Sequence, residues 1–136
     1  MIRILLVDNH PLVRRTIRTL LERSDGIEVV GEARDGAEAV EQAAILKPDV
    51  VVMDVKMPRM DGLQATKAIR AHRPETGVVL ISMYSATDLN ESIHKAGAAV
   101  FVPKAAILAE LLPAVHLAAG DEPSGTFSPF IHAGVS

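Results

Sequence analysis

Two carboxylates, an amide, a hydroxyl and an amine stand out because each sits at the end of an apolar run. Asp8 and Asn9 follow Ile2 to Val7, Asp54 follows Val51, Val52 and Met53, Ser82 follows Val78 to Ile81, and Lys104 follows Phe101, Val102 and Pro103. Singly, each has an ordinary use: Asp and Ser form turns and caps, and a lysine is usually solvated. Together they describe phosphoryl transfer. Two carboxylates brought to one place repel unless a cation lies between them, and hard oxygen donors with few protein contacts suit Mg²⁺. An Asp carboxylate can be the nucleophile that forms an acyl phosphate. Mg²⁺ and Lys104 would then neutralise the transferring group, and the Ser82 hydroxyl would donate to one of its oxygens. Asp54 is the candidate phosphoacceptor.

The elements that must position these residues are legible as an alternation. Runs rich in β-branched residues span Ile2 to Val7, Ile27 to Ala33, Asp49 to Met53, Val78 to Ser82 and Ala99 to Val102. Between them, Val13, Ile17, Leu20 and Leu21 share one face of a helix, as do Ala37, Val40 and Ala44, then Leu63, Thr66 and Ile69, then Leu89, Ile93 and Ala96. Strict strand and helix alternation predicts parallel strands joined by right-handed crossovers, an α/β fold with five strands and five helices. Pro11 suits a first helical turn, Lys47 with Pro48 closes the second helix, and Gly97 follows the fourth. A fifth helix is predicted over Ala106 to Ala119, burying Leu108, Leu111, Leu112 and Val115. Pro113 inside it should cost about 3 kcal/mol, which predicts a kink or a break. Ligands of an open parallel sheet bind beyond the carboxyl ends of its strands, where all five chemical residues fall.

With 136 residues, the chain is expected to form one domain over 1–120, followed by a linker or tail over 121–136 without periodicity. A net charge of −3 gives no basic footprint, so direct nucleic-acid contact by this chain is not expected. The absence of cysteine excludes disulfides and thiolate metal sites. No apolar run approaches the roughly 20 residues that span a bilayer, and the first residues enter a strand instead of a secretory leader. A cytoplasmic location without membrane contact is the expectation.

The run VVMDVKMPRMDG, with VDNHPLVRR before it and ISMYSA and GAAVFVPKA after it, resembles the receiver domain of two-component response regulators. The likeness extends from about Ile2 to Gly120, and HPLVRR and FVPKA are similar to the branch that carries a LuxR-type output domain. The resemblance implies a flavodoxin-like, three-layer fold of strand order 2-1-3-4-5. It also implies phosphorylation of Asp54 by a phosphohistidine on a sensor histidine kinase or phosphotransfer protein. By the same match Lys104 is the site lysine, Ser82 the switch hydroxyl, Phe101 the switch aromatic, and the Lys56 carbonyl a metal ligand beside Asp8, Asn9 and Asp54. Lys56 and Tyr84 would flank the phosphoryl group and limit access of water.

One departure has a physical consequence. The family pattern has two adjacent acids after the first strand, and this chain has Asp8 and Asn9. An amide oxygen gives up one ion–ion attraction, on the order of 1 kcal/mol even at high dielectric, so Mg²⁺ binding should be weak. Two other readings compete with a phosphorylation switch. A degenerate receiver would bind partners without phosphorylation, and an aspartyl phosphatase would want an acid two residues after Asp54, where Lys56 stands. The only enzymatic element expected is self-phosphotransfer with autodephosphorylation, and a homodimer is compatible with the sequence. About 16 residues follow Gly120, too few for a helix-turn-helix. Met57, Pro58 and Met60 read as packing. The five histidines lack ligand spacing and read as no metal site. Arg14, Arg15, Arg18 and Arg23 give the first helix a basic face, solvated or turned to an acidic kinase surface.

Overall fold

Apolar runs this continuous can only be buried on both sides, and the computed structural model, described for residues 1–83, 97 and 100–120, places them at the centre of a sheet. Strands β1 (Ile2–Val7), β2 (Ile27–Ala33), β3 (Val50–Asp54), β4 (Gly77–Ser82) and β5 (Val100–Pro103) all pair in parallel, in the order β2-β1-β3-β4-β5. Every residue of β3 and β4 is buried, as near-unbroken Val, Leu and Ile runs require of a sheet covered on both faces. Helices α1 (Pro11–Glu22), α2 (Gly36–Leu46) and α3 (Gly62–His72) connect the strands, and a 3₁₀ turn (Lys104–Ala106) leads into α4 (Ile107–Ala118).

Alternate residues of each strand feed two cores. Ile4, Leu6, Val52, Ile81 and Val102 meet Ile17 and Leu21 of α1 and Leu111, Ala114 and Val115 of α4. Leu5, Val7, Met53, Leu80 and Phe101 meet Ala39 and Ala43 of α2 and Ala65 and Ile69 of α3. Three layers result, and the flavodoxin-like order expected from the resemblance is the order observed. The chain crosses from β1 to β2 on one side and continues to β3 on the other, so the crevice between β1 and β3 is the switch point.

Several local expectations need correction. Strand ends move by one residue: β3 takes in Asp54 and leaves out Asp49, β4 begins at Gly77, and β5 runs Val100 to Pro103. The buried face of α2 is Gly36, Ala39 and Ala43, whereas Ala44 is exposed. Leu108 is 83% exposed, not buried, because the 3₁₀ turn sets the phase of α4 so that Leu111 and Val115 face the sheet. Pro113 does not break α4, which is continuous through it. The carbonyl that Pro113 leaves without an amide partner belongs to Ala109, an exposed residue, and water can satisfy it there. Four helices are described. The fourth helical run of the sequence, with Leu89, Ile93 and Ala96, and the tail 121–136 lie outside the described residues.

Candidate functional site

The register of the sheet brings the chemical residues to one rim. Val7 pairs with Met53, Asp54 with Ile81, and Ser82 with Pro103, so Asp8, Asp54, Ser82 and Lys104 leave the sheet at nearly one level. Two glycine contacts hold the loop after Asp54 close. A Cβ at Gly62 would lie 2.2 Å from the Asp54 carbonyl oxygen, and one at Gly36 would lie 2.0 Å from that of Met60. The Gly36 N–H donates to Met60 O at 2.9 Å and the Gly62 N–H to Val55 O at 2.8 Å. Asp61 caps α3 in a reciprocal capping box with Gln64, and Arg59, at φ 68°, pairs with Asp35 at 3.4 Å. Met57 and Met60 pack on the second core, as read from the sequence.

Asp8 and Asp54 are both buried, 0% and 3% exposed. Lys104 Nζ stands 3.1 Å from Asp54 Oδ2 and 3.3 Å from Asp8 Oδ2, one cation shared by two carboxylates. The Asp54 carboxyl is nevertheless pushed above its ordinary range. Burial is the largest cause, the Lys104 charge opposes it, Asp8 adds repulsion, and a hydrogen bond from the Lys56 backbone pulls it down. Asp8 Oδ1 accepts from the His10 N–H at 2.8 Å, and the Asp8 carbonyl accepts from Arg14 Nη1 at 2.6 Å. Asp8 Oδ2 and Asn9 Oδ1 are buried and accept no hydrogen bond among the described residues. A buried amide oxygen without a hydrogen bond, Asn9 Oδ1, beside two buried carboxylates is what a cation site offers, and the oxygens fit a hard divalent ion. Asp8, Asn9 and Asp54 would hold it.

A pocket of about 280 Å³ opens above this group, lined by His10, Asp54, Lys56, Ser82, Met83 and Lys104. It is below the usual size of sites for organic ligands and suits a phosphoryl group. Ser82, 1% exposed at the end of β4, borders it. Phe101 is fully buried in the core beneath and does not line it. Tyr84 lies outside the described residues.

His10 is the site residue that sequence reasoning excluded. Its Nδ1 is 3.3 Å from Asp8 Oδ1, and one ligand atom each from Asp8, His10 and Asp54 lie within 4.8 Å of one another. Its partners are carboxylates and not a second histidine at helical spacing, so its one signal in the sequence is its place two residues after Asp8. The basic face of α1 is likewise only partly solvated. Arg14 Nε bonds Glu32 at 2.6 Å, and Arg18 bonds Glu32 and Glu22. Burial would raise the Glu32 carboxyl, but its bonds to Arg18 and Arg14 outweigh that and hold it below the ordinary range. Arg15 and Arg23 remain exposed.

Comparison with known proteins agrees with this geometry. The model of the response regulator receiver domain matches residues 4–116. The chain is 44% identical over 117 residues to the response regulator GacA of Pseudomonas viridiflava, covering 86% of this chain and 55% of that protein. It is 42% identical over 116 residues to the transcriptional regulatory protein PdtaR of Mycobacterium tuberculosis, covering 85% and 56%. The chain thus spans about half the length of these relatives. Among solved structures, the signal receiver domain of the putative response regulator NarL from Mycobacterium tuberculosis superposes with a TM-score of 0.82 at 37% identity, covering 88% of this chain and 96% of that one. A LuxR-family two-component response regulator from Aurantimonas sp. SI85-9A1 gives 0.87 at 32% identity, covering 98% and 95%. No described helix is long and apolar enough to cross a membrane. With the strand order, the rim of Asp8, Asp54 and Lys104, and these matches in agreement, the chain belongs to the response regulator receiver domain family of two-component systems.

Proposed function

We propose that Asp54 accepts a phosphoryl group from a phosphohistidine on a sensor histidine kinase or phosphotransfer protein, and that the resulting acyl phosphate switches a protein-interaction face. The observation that carries this reading is the Lys104 ammonium, its Nζ between Asp54 Oδ2 at 3.1 Å and Asp8 Oδ2 at 3.3 Å, in a pocket of phosphoryl size. In the transfer, an Asp54 carboxylate oxygen forms the new O–P bond as the P–N bond to the donor imidazole breaks, and the imidazole leaves with the electron pair and is protonated. A Mg²⁺ ion, when bound, neutralises charge on the phosphoryl oxygens. Lys104 offers its charge to those oxygens and Ser82 its hydroxyl proton. Burial keeps bulk water away from the acyl phosphate, with Lys56 and Tyr84 as the flanking residues that slow its hydrolysis.

The switch follows from what these contacts pull on. Phosphate on Asp54 draws Ser82 at the end of β4, and Phe101 on the neighbouring strand responds, remodelling the face that includes β5 and α4. Leu80 pairs directly with Phe101 across the two strands, which supports a mechanical link of this kind. Such a population shift needs only a small bias between two packings. The output is a protein contact feeding transcription regulation, the role named for PdtaR; residues 1–120 act as the receiver, 121–136 as linker or tail, in the cytoplasm.

Intact-mass analysis after incubation with acetyl phosphate and Mg²⁺ tests the reading. The wild type should gain one phosphoryl group and Asp54→Asn none. If the wild type stays unlabelled under conditions that label an ordinary receiver, the phosphoacceptor reading is lost, and binding of partners without phosphorylation, the alternative that Asn9 motivates, takes its place. Turnover of a small phosphate ester would instead point to a phosphatase. The shielding role fails on its own terms if Lys56→Ala with Tyr84→Ala leaves the phosphoryl lifetime unchanged.

A further inference from the structure

The rim is not the donor set that Mg²⁺ favours most. Asn9 supplies no charge, so two carboxylates remain, and Lys104 Nζ already stands 3.1 and 3.3 Å from them. A hard ion bound chiefly by charge is weakened most by that arrangement. At the same rim stands an imidazole nitrogen. His10 Nδ1 is 3.3 Å from Asp8 Oδ1, and one ligand atom from each of Asp8, His10 and Asp54 fall within 4.8 Å of one another. Around an octahedral ion with bonds of about 2.1 Å, adjacent ligand atoms lie about 3.0 Å apart and opposite ones about 4.2 Å. The His10 Nδ1 to Asp8 Oδ1 spacing of 3.3 Å is already close to that of adjacent ligands, and the remaining pairs, within 4.8 Å, need to close by up to about 2 Å.

Other features of the rim point the same way. Asn9 Oδ1 is a buried acceptor without a hydrogen bond among the described residues, and Asp8 Oδ2 has only the Lys104 ammonium, at 3.3 Å, beside it. His10 itself is held at its backbone, where its N–H donates to Asp8 Oδ1 at 2.8 Å and Pro11 opens α1 immediately after it. Its side chain is 61% exposed, so it can turn toward an ion without leaving a packed core. Imidazole is a good ligand for Ni²⁺ and Zn²⁺; Mn²⁺ is bound mostly by oxygen but accepts a nitrogen ligand more readily than Mg²⁺, which prefers oxygen and retains its water.

We infer that His10 is an additional metal ligand of this receiver, and that the pairing of Asn9 with His10 shifts its rim from Mg²⁺ toward divalent transition ions. The inference rests on the proposed metal-assisted phosphoryl site but does not require phosphorylation to be measured. Mn²⁺ and Mg²⁺ affinities of the untagged protein are compared by titration, with free Mn²⁺ read by electron paramagnetic resonance and Mg²⁺ by competition. Pulsed resonance of the bound Mn²⁺ reads nitrogen coupling directly.

The wild type should show a nitrogen coupling that His10→Ala lacks. That variant should lose Mn²⁺ affinity by on the order of tenfold, the scale on which a residue shaping a coordination shell acts, with Mg²⁺ affinity nearly unchanged. No nitrogen coupling in the wild type, or an equal effect of His10→Ala on both ions, overturns the inference. Asp8→Asn separates the two levels. If it abolishes divalent binding while His10→Ala does nothing, only the role of His10 falls; if it leaves binding intact, the rim is not the metal site and the underlying reading falls with it.

Discussion

Asp54 is held where its ionised form is costly, and that gives the residue a pH signature. Burial raises its carboxyl above the ordinary value of 3.8 despite Lys104, so the folded protein binds this proton more tightly than the unfolded chain. The stability due to a protonated Asp54 is present below the ordinary value and is lost as pH rises through the raised one. Asp54→Asn removes that loss. Denaturation followed against pH should find the variant more stable than the wild type at neutral pH, with the difference shrinking on acidification below the carboxylate range. A variant that gains nothing at neutral pH would show that Lys104 fully offsets the burial. Lys104 makes the reciprocal case, since its removal leaves two buried carboxylates facing each other. Lys104→Met should cost about 3 kcal/mol at neutral pH, and adding Asp54→Asn should recover part of it. Additive losses in that pair of variants would mean the two side chains are not coupled.

At the scale of elements, α4 carries a defect that can be repaired. Pro113 lies in mid-helix, at a cost of about 3 kcal/mol relative to Ala, while its stiffness in the unfolded chain returns up to about 1 kcal/mol. Pro113→Ala should therefore stabilise by about 2 kcal/mol, visible as a higher midpoint in urea; an unchanged midpoint would mean that water and packing already compensate. Gly62→Ala should do the reverse, by about 1–3 kcal/mol, since its Cβ would meet the Asp54 carbonyl at 2.2 Å. These elements show where the sequence could be read and where it could not. Runs such as Val50 to Met53 and Val78 to Ile81 identify strands because only a doubly covered sheet buries them whole. In α2 the alanines at 37, 39, 43 and 44 make neighbouring faces almost equally apolar, so periodicity chose one partly wrong. Around α4 leucines occur on several sides, and Leu108 fell on the exposed one. The carboxylates and lysine of the site were legible because each ends a strand. The Arg14, Arg18 and Glu32 cluster was not, because its partners come from distant positions in the chain, and His10 was not, because its partner, Asp8 two residues before it, is a carboxylate and not a second histidine.

For the whole molecule, the rim sets how strongly folding is linked to a divalent ion. Two carboxylates at the ends of β1 and β3 repel across the switch point, and Lys104 is the cation the described residues place between them. Any ion that binds the folded rim and not the open chain stabilises the fold by an amount that grows with the logarithm of its concentration over the dissociation constant. If Asn9 weakens Mg²⁺ by about 1 kcal/mol, or about fivefold, the wild type should gain about 1 kcal/mol less from excess Mg²⁺ than Asn9→Asp. Without metal the order should invert, because Asn9→Asp adds a third carboxylate to a site with one lysine and so raises the repulsion the fold must hold. Chemical denaturation of both proteins with chelator and with excess Mg²⁺ reads this directly. The expected outcome is a variant less stable than the wild type in chelator, with a larger rise on adding Mg²⁺. Equal rises in the two proteins would show that position 9 does not face the ion, and the weak Mg²⁺ site attributed to Asn9 would have to be abandoned.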